Sequence, residues 1–114
     1  MVLVKKKRLI FKKEYGSAIL EGKKTSTIRL TSQLKKGDTV DIIAGKIKIG
    51  TATIEDVEVK KLKELTDEDA IMDGFKNREE LIRTLKRLYR KKISDNSEVK
   101  LIKFKLIGRE SENE

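Results

Sequence analysis

A chain of 114 residues is one domain at the usual ~100–200 residues per domain, and its 34 Leu, Ile, Val and Phe residues suffice for a modest aliphatic core. The absence of His and Cys excludes a histidine triad or general base, a cysteine nucleophile, a disulfide frame and the usual zinc ligands. Lys plus Arg outnumber Asp plus Glu by 28 to 19, which fits an anionic partner such as RNA or a phosphorylated metabolite and equally the ion-pair-rich surface of a heat-adapted protein.

From the N-terminus, Val2-Leu3-Val4 and Leu9-Ile10-Phe11 bracket a basic run and read as strand segments. No apolar run is long enough to span a membrane and no signal-peptide core follows the basic residues, so a cytoplasmic location is expected. Residues 14–21 carry Tyr15, Ala18 and Ile19 on one side and stop at Gly22, a residue type that ends helices. Residues 25–30 are rich in β-branched side chains and form a strand, and Leu34-Lys35-Lys36-Gly37-Asp38 turns into another at 39–43. Gly45 permits a reversal into 46–59, where Ile47, Ile49 and Thr51 alternate and Gly50 allows a bulge, giving a strongly bent hairpin.

The period then changes. Thr66 and Asp69 make a capping box for a short helix over 67–72 that stops at Asp73-Gly74. Asn77 and Glu80 open a longer one, with Leu81, Ile82, Leu85, Leu88 and Tyr89 on its core face and Arg83, Lys86, Arg87 and Arg90 outside. Residues 99–107 are the last strand. The order describes an α+β domain over 1–109 on a small, curved, mostly antiparallel sheet, with a disordered acidic tail over 110–114. Closure of the sheet into a barrel hides its edges.

Chemistry falls to Lys, Arg, Asp, Glu, Thr, Ser and Tyr, which are densest in Gly22-Lys23-Lys24-Thr25-Ser26-Thr27-Ile28-Arg29. Alternation along a strand places Thr25, Thr27 and Arg29 on one side, away from Ser26 and Ile28, with Lys24 at the mouth of the row. Hydroxyl, amine and guanidinium together suit a grip on phosphate or carboxylate, or nucleophilic attack if the amine or a carboxylate accepts a proton. The same residue types are also ordinary turn and strand formers.

This stretch resembles the G-x-K-x-x-E-x-R signature of the ASCH domain, a relative of the PUA domain. Gly22, Lys24 and Arg29 match it, and Thr27 stands where many members have Glu. The helix end Ala18-Ile19-Leu20-Glu21-Gly22 and the blocks 34–38 and 67–75 fit the same pattern in the same order, so the resemblance runs over 9–107. It implies a PUA-like β-barrel flanked by two or three helices, with a cleft between them that binds RNA or a nucleotide. Similar proteins with Thr at the variant position include small amidohydrolases that remove acyl groups from the exocyclic amine of cytidine with a Thr nucleophile, a Lys and a Glu. Carried over, Thr27 is the nucleophile and Lys24 the base or electrostatic partner. The acidic member falls at or near Asp73, one methylene shorter than Glu, with Asp67, Glu68 and Asp69 as rivals.

A Lys24 amine pushed toward neutrality by burial or by Arg29 can take the Thr27 proton, whereas a carboxylate beside it keeps it an ammonium that binds anions. Gly22, Lys23, Arg29 and Tyr15 are expected to hold the ligand, and Arg83, Lys86, Arg87 and Arg90 either follow an RNA backbone or form a solvated face. Aromatics are few and needed in the core, so a single base inserted near Tyr15, Lys24 and Arg29 is expected rather than a stacking platform. Three functions stand: an RNA- or nucleotide-binding domain, an amidohydrolase of acylated cytidine-type nucleosides, and a regulatory interaction domain with a vestigial cleft. No cofactor or metal is expected, and the chain is expected to be a monomer.

Overall fold

The computed structural model describes residues 7–110; the expected strand at Val2-Leu3-Val4 and the tail after Glu110 lie outside them. Five strands, β1 (Lys7–Phe11), β2 (Ser26–Arg29), β3 (Thr39–Ala44), β4 (Ile47–Lys61) and β5 (Glu98–Arg109), form one sheet in the order β1-β3-β4-β5-β2. Its pairs are antiparallel except β1 with β3. Three α-helices among the described residues, α1 (Gly16–Leu20), α2 (Asp67–Met72) and α3 (Arg78–Tyr89), complete the expected α+β fold.

Curvature comes from register slips. One lies between Ile42 and Ile43, where Ile49 is skipped beside Gly50, and two more lie between β4 and β5. Each extra residue bends its strand and increases the local twist, so the sheet curls into the half-barrel of a PUA-like fold. Among the described residues the ladder does not close, and β1 and β2 are its two edges.

β5 is apolar on both faces and so divides the interior. Ile102 and Phe104 join Leu9, Phe11, Ile42 and Ile54 inside the curl, whereas Val99 and Leu101 join Leu62, Leu81 and Leu85 under the helices. Local signals set the helix starts: Asp69 N donates to Thr66 Oγ1, Thr66 N to Asp69 Oδ2, and Glu80 N to Asn77 Oδ1. No helix among the described residues is long and apolar enough to cross a membrane.

Candidate functional site

Two helix ends frame the site. After α1, Gly22 takes φ +78°, with its N–H on the Ile19 carbonyl and that of Lys23 on Ala18. After α2, Gly74 takes φ +95°, with its N–H on Ile71 and that of Phe75 on Ala70. Both are Schellman ends, which need a residue at ease in the left-handed region. The segment between α1 and β2 is then pinned to the second end, because Thr25 N donates to the Met72 carbonyl at 2.8 Å while its own carbonyl accepts from Phe104 N at 3.0 Å. Lys24 and Asp73, 49 residues apart, are thereby brought into contact.

Both side chains are buried, Lys24 at 4% exposure and Asp73 at 5%. Lys24 Nζ donates to the Asp73 Oδ1 carboxylate, to the Asp73 carbonyl at 2.8 Å and to the Ser26 carbonyl at 3.1 Å. Three acceptors match the three protons of an ammonium. The same nitrogen lies 5.1 Å from the Tyr15 ring centre and 5.5 Å from that of Phe11, within cation–π range. Thr27 is buried, and its Oγ1 accepts from Arg29 Nε at 3.0 Å. Arg29 stacks over Phe11 at 5.2 Å and donates from Nη2 to the Ile10 carbonyl at 2.8 Å.

Burial sets the proton affinities. It pushes Asp73 up to about 6, against the pull of Lys24 and Arg29. It pushes Lys24 below the ordinary lysine range, against the support of Asp73 and with help from the Arg29 charge. The two shifts converge, which makes proton transfer from Lys24 to Asp73 less uphill than between the same groups in water. Arg29 is also lowered by burial, and Tyr15 is raised by burial and by the charges of Glu14 and Asp73.

These groups line a cavity of about 220 Å³ between β1, β2 and α3. Lys24, Thr27, Arg29 and Asp73, with Lys12 and Thr84, supply its polar wall, and Phe11, Tyr15, Phe75, Leu88 and Tyr89 much of the rest. Gly22 and Lys23 are outside it: Gly22 shapes the turn, and Lys23 is exposed and paired with Glu21 at 3.3 Å. Thr25 does not join the row of Thr27 and Arg29, because the ladder begins at Ser26 and Thr25 is exposed on the segment before it. Among the acidic rivals of Asp73, Asp69 pairs with Lys60 at 2.7 Å, Asp67 accepts from Arg78 N at 2.7 Å, and Glu68 is exposed. On α3, Arg83 meets Glu79 at 3.8 Å and Lys86 meets Asp95 at 3.4 Å, with Arg87 exposed on it and Arg90 exposed just past its end. The walls from β1 and α3, Phe11 and Tyr89 above all, were missed by sequence reasoning. Their apolar spacing marks them as core residues, and only the fold turns them toward the cavity.

The family model described as the ASCH domain matches residues 6–108. Among solved structures, protein EF3133 from Enterococcus faecalis, described under the family DUF984, has a TM-score of 0.74 at 16% identity over 98% of this chain and 88% of its own. An ASCH domain from Lactobacillus crispatus has a TM-score of 0.73 at 15% identity over 82% of this chain and 70% of its own. The hypothetical protein PH0355 has a TM-score of 0.65 at 23% identity over 87% of this chain and 100% of its own. At these identities the likeness is one of fold. No curated protein matches the sequence.

Proposed function

The chain belongs to the ASCH domain family, and on that footing we propose that its cavity takes a single base of an RNA strand or a free nucleoside. The observation that carries this is the buried Lys24–Asp73 pair on the wall of a cavity of about 220 Å³. Such a volume is below the ~300–1,000 Å³ of drug-sized sites and suits one planar heterocycle. Arg29 presents free donors and Asp73, held in place by Lys24, presents acceptors, the mixed pattern that the edge of an unstacked base requires, while Phe11, Tyr15 and Tyr89 offer apolar faces. The excess of nine positive charges adds salt-sensitive attraction for a polyanion. Equilibrium titration of ribonucleosides and a short single-stranded RNA tests the reading. Lys24→Ala releases the Asp73 carboxylate that it holds and is expected to lower affinity at least about tenfold, the scale of one charge-assisted hydrogen bond to the base lost with it, and Thr27→Val to change it little. Absence of RNA retention even at low salt sinks the proposal.

A second reading, removal of an acyl group from the exocyclic amine of a cytidine-type nucleoside, is favoured by the convergence of Thr27, Lys24 and Asp73 on one cavity. In it Lys24 passes a proton to Asp73 and, as a neutral amine, takes the proton of the Thr27 hydroxyl, whose oxygen attacks the amide carbonyl. Collapse of the tetrahedral intermediate breaks the carbon–nitrogen bond, the departing amine takes a proton from Lys24, and water then cleaves the acyl-threonine ester. The reading requires the Thr27 hydroxyl, which accepts from Arg29, to turn its own proton toward Lys24. Hydrolysis of an acetylated cytidine nucleoside, measured beside Thr27→Val and Lys24→Ala, tests it: turnover lost in both variants supports the mechanism, and an inactive wild type removes it.

A further inference from the structure

The cavity has a continuation. Ile10 and Arg29 also line a groove of about 520 Å³ along the seam between β1 and the loop after β2. That groove shares Lys7, Ser32, Gln33 and Leu34 with a further depression bordered by Lys35 and Lys100. The three recesses therefore form one path across the surface, and among the described residues every ionisable side chain lining its two outer parts is a cation: Lys7, Arg8, Arg29, Lys35 and Lys100.

The cations have different duties. Lys7 is bound to Asp38 at 2.8 Å, and Lys100 Nζ holds the Ser32 carbonyl at 2.6 Å. With Leu34 N on Ser32 Oγ at 3.1 Å, this fixes the loop that makes the outer wall. Arg8 and Lys35 are exposed and in no ion pair among the described residues. Arg29 uses its Nε and one Nη2 proton in the hydrogen bonds already described, and a guanidinium has five donors in all. By contrast, Arg83 and Lys86 on α3 each face a carboxylate within 4 Å, so part of that charge is already answered.

Resting on the reading of the cavity as a base site, we infer that a single RNA strand whose base enters the cavity lays its phosphates along the β1/β2 seam, on Arg29, Arg8 and Lys35, and not along α3. Arg29 is the junction: one guanidinium borders both the base and the first phosphate. Ser32 and Gln33 add neutral donors beside the path, in reach of the sugar and phosphate oxygens that fix register without reading sequence.

Fluorescence anisotropy with a labelled, unstructured RNA octamer across a salt series tests the path. Expected is a loss of about tenfold at low salt for Arg8→Gln with Lys35→Gln, and a salt slope lower by about 1–2, one for each phosphate contact removed. Affinity for a free nucleoside should stay unchanged in that variant. Arg83→Gln with Arg87→Gln on α3 should alter octamer affinity by less than about twofold. An unchanged seam variant, or an equal loss from the α3 variant, overturns the path. Octamer binding lost in Lys24→Ala and retained in the seam variant also overturns it while leaving the base site standing. The reverse pattern keeps the path and removes the base site, and a wild-type protein that does not bind the octamer at low salt removes both.

Discussion

Arg29 on β2 donates to the backbone carbonyl of Ile10 on β1 at 2.8 Å and so joins the two edges of the sheet that no ladder joins among the described residues. The same side chain holds Thr27 through Nε. Arg29→Lys keeps the charge but replaces a planar fork by a compact ammonium, which cannot serve both partners at once. Expected is a loss of about 1.5–3 kcal/mol, the range for a hydrogen bond to a charged group, read from urea unfolding. Wild-type stability in this variant rejects the bridging role.

The Lys24–Asp73 pair should be asymmetric. Lys24 has two backbone carbonyls and two aromatic rings besides Asp73, so Asp73→Asn, which keeps an acceptor oxygen, should cost about 1 kcal/mol or less. Lys24→Met leaves a buried carboxylate whose remaining cation is Arg29, and should cost about 3–5 kcal/mol. Replacing both residues by apolar ones should recover most of that loss. Equal costs for the two single changes contradict this account.

Asp73 gives stability an unusual pH dependence. Burial holds it at about 6 in the folded chain, above its ordinary 3.8. The folded state therefore takes up this proton first as pH falls. Its stabilising contribution is full below 3.8 and is lost as pH rises through about 6. Asp38 and Asp69 act in the opposite sense. Asp38 is held down by hydrogen bonds from Lys7 and from the Lys35 backbone, and Asp69, although burial pushes it up, is drawn below its ordinary value by Lys60 and Thr66. The stability they lend is present above 3.8 and lost as pH falls through their folded values. Unfolding free energy should thus rise as pH falls from about 7 to about 4 and then decline, with the rise absent in Asp73→Asn. Parallel curves for the two proteins overturn the assignment to Asp73.

The cap of α2 supports the site from a distance. Thr66 Oγ1 accepts from Asp69 N, and the Asp69 carboxylate binds both Thr66 N and Lys60. Thr66→Ala should cost about 1 kcal/mol, the usual value of a lost N-cap. Because α2 ends at Asp73, the loosening should extend to the Lys24 contact, visible as faster exchange of the Thr25 amide that Met72 holds. Unaltered exchange at Thr25 separates the cap from the site.

What the sequence discloses depends on distance along the chain. The caps at Thr66 and Asn77 and the glycine ends at Gly22 and Gly74 are decided within a few residues, and all four stand where their residue types place them. Thr25 misleads because alternation can be counted only from a known strand start, and Ser26 becomes that start through its pairing with Lys103 far along the chain. Asp73 was reachable through family resemblance alone, since nothing local to either residue announces a contact across 49 positions. Phe11 carries no polar mark by which a site residue is picked out and Tyr89 falls on the apolar face of its helix, so their place on the cavity wall follows from the curl of the sheet and the seat of α3.

The strand order bears on how the cavity opens. β1 and β2 are five and four residues long and, among the described residues, each is paired along one side only, while β3, β4 and β5 run contiguously between them. Ile10 and Phe11 stand on one of these outer strands, and Thr27 and Arg29 on the other. Release of either strand dismantles the cavity while the three inner strands remain paired, so the cavity belongs to the part of the molecule that comes apart first. An occupant closes this low-energy route by mass action. Its presence should register as slowed amide exchange confined to the two outer strands, with global unfolding of the inner three as the ceiling on that protection.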